Sequence, residues 1–313
     1  MKKTASAAKA ALAESILYKI KFKSESIRRY AVKIYCNQTE ETEMIASEPW
    51  KDFLEPFCLF GNLYFVGSIP ASTHIIDTGE GLIMLDCGYQ ESLYMVLENM
   101  RRIGLNPMDL KYLVLTHGHI DHAGAAEALR RLTGCKIFLG ERDREYVNGT
   151  LDLTYATEFH MRFINFEPDV LLHDGDVISL GNTSIRCVAT PGHTPGAMSF
   201  FFDVSDGKQT YRAGLHGGMG INTLSKKFLD KYGLPYSYRE EFVASMKRLA
   251  EEDVEIFLGN HAEHNHTPER AEEIKNGNAL AFVHPEEWKP YALWCIENFE
   301  NMLKREAETT ERK

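Results

Sequence analysis

The sequence has too few basic residues for a typical nucleic-acid-binding protein. Its 313 residues include 35 Lys and Arg against 45 Asp and Glu, which gives a net charge of −10. Proteins that bind DNA or RNA usually present clustered positive charge to the phosphates. We therefore expect no nucleic-acid partner and predict a small-molecule substrate instead.

Cysteine and uninterrupted apolar runs are also scarce. The six cysteines, at positions 36, 58, 87, 135, 187 and 295, form no C-x-x-C pair and lack the dense spacing of a disulfide-stapled domain. The N-terminus begins with positive charge as a signal peptide does, but Lys9 and Glu14 interrupt any apolar segment there. These features predict a cytoplasmic protein without stable membrane insertion.

The first 48 residues differ in pattern from the rest of the chain. From Ala5 to about Cys36 the apolar residues recur at helical spacing, with Lys and Arg between them. We assign residues 1–48 to a helical extension and residues 49–313 to one large domain. The extension either packs on that domain or mediates a homodimer. A basic helix on a membrane surface is less favoured because the apolar stripe is short.

Histidines are concentrated in one short motif. The segment Thr116–His122 places three imidazoles and one carboxylate directly after the apolar run Tyr112–Leu115. Imidazole and carboxylate are ligands that suit zinc and related first-row metals. A strand that ends in a turn directs alternate side chains to one side, so His117 and His119 are expected to share a direction. The motif therefore predicts a metal site.

Two further segments each deliver a histidine after a strand-like run. A Pro and Gly frame holds His193 after residues 183–188, and His261 follows the apolar run Ile256–Leu258. His264 and His266 come close behind, which leaves open which of these three histidines faces the metal. The scatter of motifs from residue 116 to residue 261 requires both halves of the domain to fold together.

Together these residues resemble the metallo-β-lactamase superfamily, whose H-x-H-x-D-H signature is matched by His117, His119, Asp121 and His122. The resemblance spans about residues 50 to 305 and is closest to the third subclass, whose metal ligands are only His and Asp. The further matching segments are Pro56–Gly67, Gly81–Gly88, Asp174–Asp176, the His193 turn and Phe257–Gly259. It implies an α/β fold, the αββα sandwich, with the metals at one edge between two sheets.

The resemblance also implies two metal ions bridged by hydroxide. One zinc would be held by His117, His119 and His193, and the second by Asp121, His122 and His261. Iron or manganese also suits such ligands. Many superfamily hydrolases add a bridging Asp near the position of Leu215, but residues 211–218 contain neither Asp nor Cys. This departure argues against the glyoxalase-like, lactonase-like and Cys-ligand branches.

A pair of bound metals polarises a carbonyl and lowers the pKa of water to about 7. Asp121 is the candidate to orient that water and handle its proton. We therefore predict a dinuclear zinc hydrolase of a β-lactam or a related cyclic amide or ester. The alternatives are a cytoplasmic lactone, thioester or phosphoester hydrolase without real β-lactamase activity, and an iron-containing redox member of the same fold.

Supporting roles are assigned to residues outside the motif. Asp86 ends the apolar run 82–85 and is either a hydrogen-bond acceptor for a ligand or an ordinary turn residue. His216 is a hydrogen bonder, a proton donor, an alternative ligand or a plain turn residue. The aromatic segment 148–168 is interpreted as a flap or as core, and the loop 217–223 as a substrate contact. The substrate-contact candidates in these two segments are Tyr155, His160, Asn222 and Thr223.

Hydrophobic periodicity predicts an alternating order of strands and helices. The predicted strands are 57–66, 73–78, 81–86, 112–116, 136–139, 176–180, 183–190, 197–203, 209–213 and 255–259. The predicted helices are 91–103, 123–132, 141–148, 238–251, 268–276 and 287–306.

Overall fold

Two β-sheets face each other in the computed structural model, which describes residues 48–311. The predicted N-terminal extension and its dimer role lie outside the described residues. One sheet has seven strands in the order β1 to β7, and the other has five in the order β12-β11-β10-β9-β8. The strands are Phe57–Phe60 (β1), Leu63–Phe65 (β2), His74–Asp77 (β3), Leu82–Leu85 (β4), Leu110–Val114 (β5), Lys136–Gly140 (β6), Val170–Leu172 (β7), Val177–Leu180 (β8), Thr183–Ala189 (β9), Met198–Ser205 (β10), Thr210–Leu215 (β11) and Ile256–Leu258 (β12).

Helices lie on the outer faces of both sheets. They are Leu93–Arg102 (α1), Ile120–Ala123 (α2), Ala126–Thr133 (α3), Arg144–Val147 (α4), Lys226–Tyr232 (α5), Ser237–Leu249 (α6), Thr267–Lys275 (α7) and Trp288–Glu311 (α8). Short 3₁₀ turns at Pro49–Asp52, Gln90–Ser92, Pro107–Asp109, Glu141–Asp143 and Asn222–Leu224 join them to the strands. Within residues 48–311, no helix is both long and apolar enough to cross a membrane.

Alternation along the strands sorts the apolar side chains into layers. In β4, Ile83 and Leu85 pack between the sheets, whereas Leu82 and Met84 pack outward under α1 and α3. On the second sheet, Phe201 of β10 packs outward with side chains of α6 and α8. All four of these β4 residues are buried, as expected for a strand covered on both faces. Helix, sheet, sheet and helix therefore form four layers.

The carboxyl ends of the central parallel strands meet at one edge of the sandwich. β4 and β5 pair in parallel with Leu85 opposite Val114, and β11 and β12 pair in parallel with Leu215 opposite Leu258. The amide of Met198, which begins β10, donates a 2.8 Å hydrogen bond to the Thr116 carbonyl. This bond joins the two sheets at the edge where the loops that follow these strands begin. Ligand-binding sites in α/β folds usually lie at such an edge.

Four details differ from the predicted elements. The predicted strand 57–66 is a hairpin, because Gly61 adopts a φ of +54° and turns the chain after β1. The helix predicted at 123–132 is two helices, α2 and α3. The three-residue strand β7 and the seven-residue helix α5 were not predicted, because each is too short to show a period.

Candidate active site

Three imidazoles form a nearly equilateral triangle at this edge. The ring centroids of His117, His119 and His193 lie 4.7 Å apart in every pair, with the rings inclined by 81° to 87°. Their nearest ring nitrogens all lie within 4.8 Å of one another. We name these three residues the histidine triangle. Converging neutral imidazoles are a typical first-row metal arrangement.

Two loops carry the triangle. His117 and His119 follow β5, and His193 lies in the loop from β9 to β10. The His193 Nδ1–H donates a 2.7 Å hydrogen bond to the Gly220 carbonyl, which turns its Nε2 toward the other two rings. Gly192 has a φ of +143°, and an added Cβ there would lie 2.5 Å from Phe242. The turn therefore requires glycine at this position.

Asp121, His122 and His261 lie against the triangle and are named the mixed group. The Asp121 Oδ2 atom is 3.2 Å from the His122 Nε2 and 3.5 Å from the His261 Nε2. His117 joins the two groups, because its ring centroid is 4.2 Å from that of His122. A ligand atom of His117 also lies within 4.8 Å of those of Asp121 and His122.

Hydrogen bonds from outside orient the mixed group. The Asp86 Oδ2 atom accepts from His122 Nδ1 at 2.8 Å, and the same carboxylate accepts from the Thr116 amide and hydroxyl at 2.7 Å each. Asp86 has a φ of +52°, a left-handed conformation that is uncommon outside glycine. The Pro70 carbonyl accepts from His261 Nδ1 at 2.7 Å. Both imidazoles therefore turn their Nε2 atoms toward Asp121.

Asp143 is a site residue that the sequence did not reveal. Its buried carboxylate accepts hydrogen bonds from the Gly118 amide at 2.9 Å, the Thr194 hydroxyl at 2.7 Å and the Gly196 amide at 2.6 Å. These donors belong to the two loops that carry the histidine triangle, so Asp143 fixes their separation. Its position three residues after β6, like that of Asp86 after β4, was the available signal. Charged residues surround it at 141, 142, 144 and 145, so the local sequence does not mark it as buried.

Charge differs between the two groups. Burial lowers the pKa of His117 and His119 well below the ordinary value, and burial lowers that of His193 to about 4. Burial acts in the same direction on His122, but the carboxylates of Asp121 and Asp86 outweigh it and raise its pKa to about 10. The triangle is therefore neutral at pH 7. In the mixed group a proton stabilises the buried carboxylates, and a metal ion binding there would displace it.

The donor set fits a metal pair. The His117 Nε2 atom is buried and has no hydrogen-bond partner within residues 48–311, and the buried His122 Nε2 atom has only the Asp121 carboxylate, 3.2 Å away. Burying such an atom without a partner costs about 1 to 3 kcal/mol. Five imidazoles and one carboxylate converge here, and the other nitrogens of His122, His193 and His261 are already hydrogen-bonded outward. This pattern is typical of metal ligands and their supporting residues.

Comparison with known proteins agrees with this geometry. The family model described as the metallo-beta-lactamase superfamily matches residues 66–206. The crystal structure of BJP-1, a subclass B3 metallo-beta-lactamase of Bradyrhizobium japonicum, superposes with a TM-score of 0.77 at 27% identity, over 85% of this chain and 99% of that one. FEZ-1 from Legionella gormanii gives 0.74 at 28% identity, over 80% and 96%. The probable metallo-hydrolase YflN of Bacillus subtilis is 28% identical over 157 residues, 45% of this chain and 56% of YflN.

The chain is similar to the metallo-beta-lactamase superfamily, both in the sequence of residues 66–206 and in its fold. The predicted resemblance and the predicted αββα fold are both confirmed. These similarities identify the chain as a metal-dependent hydrolase. Leu215, near the position where a bridging Asp would be expected, ends β11 and packs in the core between the sheets.

Residues predicted to contact substrate lie at different places around the histidine triangle and the mixed group. The Tyr155 ring stands edge-on to His119 at 5.0 Å, and the Tyr155 hydroxyl accepts a 3.0 Å hydrogen bond from the Asn222 amide. The Thr223 hydroxyl is 3.5 Å from His193 Nδ1. His160 instead is exposed, at a left-handed turn with a φ of +53°. The structure therefore brings three of these four residues to the histidine triangle and leaves His160 in solvent.

His216 belongs to neither the histidine triangle nor the mixed group and lies behind them. Its ring packs 5.2 Å from His264 and 5.8 Å from Tyr291, on the outer face of the second sheet. His264 is in turn 5.0 Å from His261. Among the three adjacent histidines, His261 therefore reaches Asp121, whereas His266 adopts a φ of +57° just before α7.

Proposed function

We propose that this chain is a dinuclear zinc hydrolase that adds water to the carbonyl of a cyclic amide, such as a β-lactam, or of a related ester. One observation carries the proposal: two sets of metal-ligand side chains lie side by side and meet at His117 and His122, whose rings are 4.2 Å apart. The proposed hydrolase domain is residues 49–313, because its ligands range from β5 to the loop after β12.

Each of the two groups would supply the ligands of one metal ion. His117, His119 and His193 would hold one zinc ion, and Asp121, His122 and His261 the other. Iron or manganese would also suit these ligands. Zinc ions bound there would supply Lewis-acid polarisation of the carbonyl and water with a pKa of about 7.

The chain's own residues orient and exclude water. Asp121 has one carboxylate oxygen near both His122 and His261, and the carboxylate is 15% exposed at the opening. It is therefore positioned to hold the attacking water and to accept its proton. The Tyr155 hydroxyl accepts from Asn222, so its own O–H is free to donate to the substrate. The Tyr155 ring covers His119 and limits access of bulk water.

Metal content and hydrolysis measured on the same preparations test this proposal. The substrates are a chromogenic cephalosporin and a p-nitrophenyl ester, and the variant is Asp121→Asn, with the exposed Asp109→Asn as the matched control. We expect about two zinc ions per wild-type chain, hydrolysis of at least one substrate, and loss of that activity only in Asp121→Asn. Zinc-loaded wild-type protein that hydrolyses neither substrate would contradict the proposal.

A further inference from the structure

The loop that follows β11 wraps closely around the His193 ring. A Cβ added to Gly218 would lie 2.5 Å from His193 Cδ2, and one added to Gly220 would lie 2.9 Å from His193 Cε1. Gly218 also has a φ of +134°, a conformation that residues with a side chain rarely adopt. The two glycines therefore let the backbone approach the imidazole more closely than any other residue would allow.

The backbone of this loop also determines which nitrogen of His193 carries the proton. The Gly220 carbonyl accepts a hydrogen bond from His193 Nδ1 at 2.7 Å. Because a carbonyl oxygen can only accept, the proton lies on Nδ1 and the lone pair lies on Nε2. That lone pair is the one that a metal ion would bind. The position of a single carbonyl oxygen therefore orients the third ligand of the histidine triangle.

Met219 is the one residue with a side chain in the segment Gly217–Gly220. Glycine loses more conformational freedom on folding than any other residue, so this segment needs contacts that hold it in one conformation. Met219 is buried between the second sheet and the helices α6 and α8, where its sulfur accepts a 3.3 Å hydrogen bond from the Cys295 thiol. The Gly217 amide donates a 2.9 Å hydrogen bond to the Ser199 hydroxyl. Met219 therefore supplies the side-chain anchor of the segment.

Helix α8 contacts this loop at two points that are one helical turn apart. Cys295 contacts Met219, and Tyr291, four residues earlier on the same face of α8, has its ring centroid 5.8 Å from that of His216. His216 begins the loop, and both of its ring nitrogens are buried without a hydrogen-bond partner within residues 48–311. Packing against α8 therefore holds the loop on both sides of its first two glycines.

We propose that Met219 is a positioning residue for the histidine triangle. By holding the segment Gly217–Gly220 against α8, it keeps the Gly220 carbonyl on His193 Nδ1 and so raises the affinity of the triangle for a metal ion. The inference rests on the proposed metal-binding function of the triangle. It makes one metal ligand depend on a contact with Cys295, which lies far from His193 in the sequence.

Cobalt binding by matched methionine variants tests this proposal. Met219→Ala removes the anchor, whereas Met302→Ala removes another buried methionine from the same apolar cluster. Both truncations leave a cavity in that cluster and should lower the urea midpoint. From ligand-field absorption, we expect only Met219→Ala to raise the Kd of the triangle for Co²⁺, about tenfold. Met219→Leu conserves most of the volume and should restore the Kd to within about threefold of wild type.

A pair of glycine variants tests the close approach of the loop to the ring. Gly218→Ala adds a Cβ 2.5 Å from His193 Cδ2, whereas a Cβ at Gly207 meets no atom of the described residues within 4 Å. Both glycines have positive φ values, +134° and +84°, so backbone strain is common to the two variants. We expect Gly218→Ala to weaken Co²⁺ binding by the triangle at least about tenfold and Gly207→Ala to leave it unchanged. Equal Co²⁺ affinities in these two variants would contradict the claim that the loop positions His193.

NMR of the metal-free protein separates this inference from the metal-centre proposal. The ¹⁵N shifts of the His193 imidazole report which nitrogen carries the proton. We expect the Nδ1-protonated tautomer alone in wild type and Met302→Ala, and a mixture of tautomers in Met219→Ala. An unchanged tautomer in Met219→Ala, or Co²⁺ binding that Met302→Ala weakens equally, would overturn the inference. A wild type that binds no Co²⁺, while Met219→Ala still changes the tautomer, would overturn the metal-centre proposal alone.

Discussion

The histidine triangle and the mixed group reach the same edge of the sandwich with different chemistry. The triangle is three neutral imidazoles on two loops, which Asp143 holds together through three hydrogen bonds. The mixed group contains a carboxylate and a histidine whose pKa is raised to about 10, and Asp86 anchors it. His261 completes it and is 22% exposed, whereas His117 is 1% exposed.

The two groups therefore favour metal binding in different ways, one through preorganised geometry and the other through charge. The triangle is preorganised by hydrogen bonds that hold its loops. Its imidazoles are already neutral at pH 7, so none of them has to lose a proton when a cation binds. The mixed group contains the Asp121 carboxylate, which attracts a cation once His122 has released its proton. Asp143 holds the loops of the triangle and Asp86 contacts the mixed group directly, while Asp86 also reaches His117 through the Thr116 hydroxyl, 3.0 Å from His117 Nδ1. Variants that affect one group more than the other test the comparison.

Removing one ligand from each group has the largest expected effect. In His119→Ala and Asp121→Ala we expect kcat/KM for the best substrate to fall about a thousandfold, because one metal supplies several kcal/mol of stabilisation to the transition state. Steady-state kinetics at saturating zinc measure this. If either variant keeps more than a tenth of the wild-type activity, the two groups do not act as one centre.

Replacing each of the two buried aspartates should weaken metal binding mainly in the group that it supports. We expect Asp143→Asn to weaken cobalt binding by the triangle, and Asp86→Asn to weaken binding by the mixed group, each about 10- to 100-fold. Titration with Co²⁺, followed by ligand-field absorption, distinguishes the all-histidine environment from the carboxylate one. If both variants weaken the same absorption band, the assignment of one aspartate to each group is wrong.

One of the three hydrogen bonds that Asp143 accepts should stabilise the fold by itself. Thr194→Val removes the buried hydroxyl that donates to Asp143 at 2.7 Å, and we expect the free energy of unfolding to fall by about 1 to 3 kcal/mol. Urea denaturation of the metal-free protein measures it. Thr150→Val, at an exposed position, should change it by less than about 0.5 kcal/mol. Equal decreases in the free energy of unfolding in both variants would contradict the claim that Asp143 holds the two loops together.

The smallest expected effect concerns Tyr155. Tyr155→Phe keeps the ring against His119 and removes only the hydroxyl that Asn222 contacts. We expect kcat/KM to fall about 2- to 10-fold with unchanged zinc content, because a single hydrogen bond contributes about 0.5 to 1.5 kcal/mol. The exposed Tyr94→Phe is the control. A loss of zinc in Tyr155→Phe would mean that the hydroxyl supports the metal ligands instead.

Much of this site was predictable because the chemistry lies in local motifs. The spacing of His117, His119, Asp121 and His122 after a strand needs no tertiary information, although β5 begins and ends two residues before the predicted strand 112–116. Asp143 was not predictable, because its function depends on loops 25 and 53 residues away in the chain. The contact of Phe228 with Tyr155 was not predictable either, because Phe228 lies on a helix that is too short to show a period.

Counting zinc ions in ligand variants tests the central claim most directly. Native mass spectrometry of zinc-loaded wild type, His193→Ala, His261→Ala and the double variant reports the stoichiometry of each. Two independent but adjacent groups predict two zinc ions in wild type, one in each single variant and none in the double variant. A wild type that binds fewer than two zinc ions, or single variants that still bind two, would contradict the assignment of these residues to a dinuclear centre.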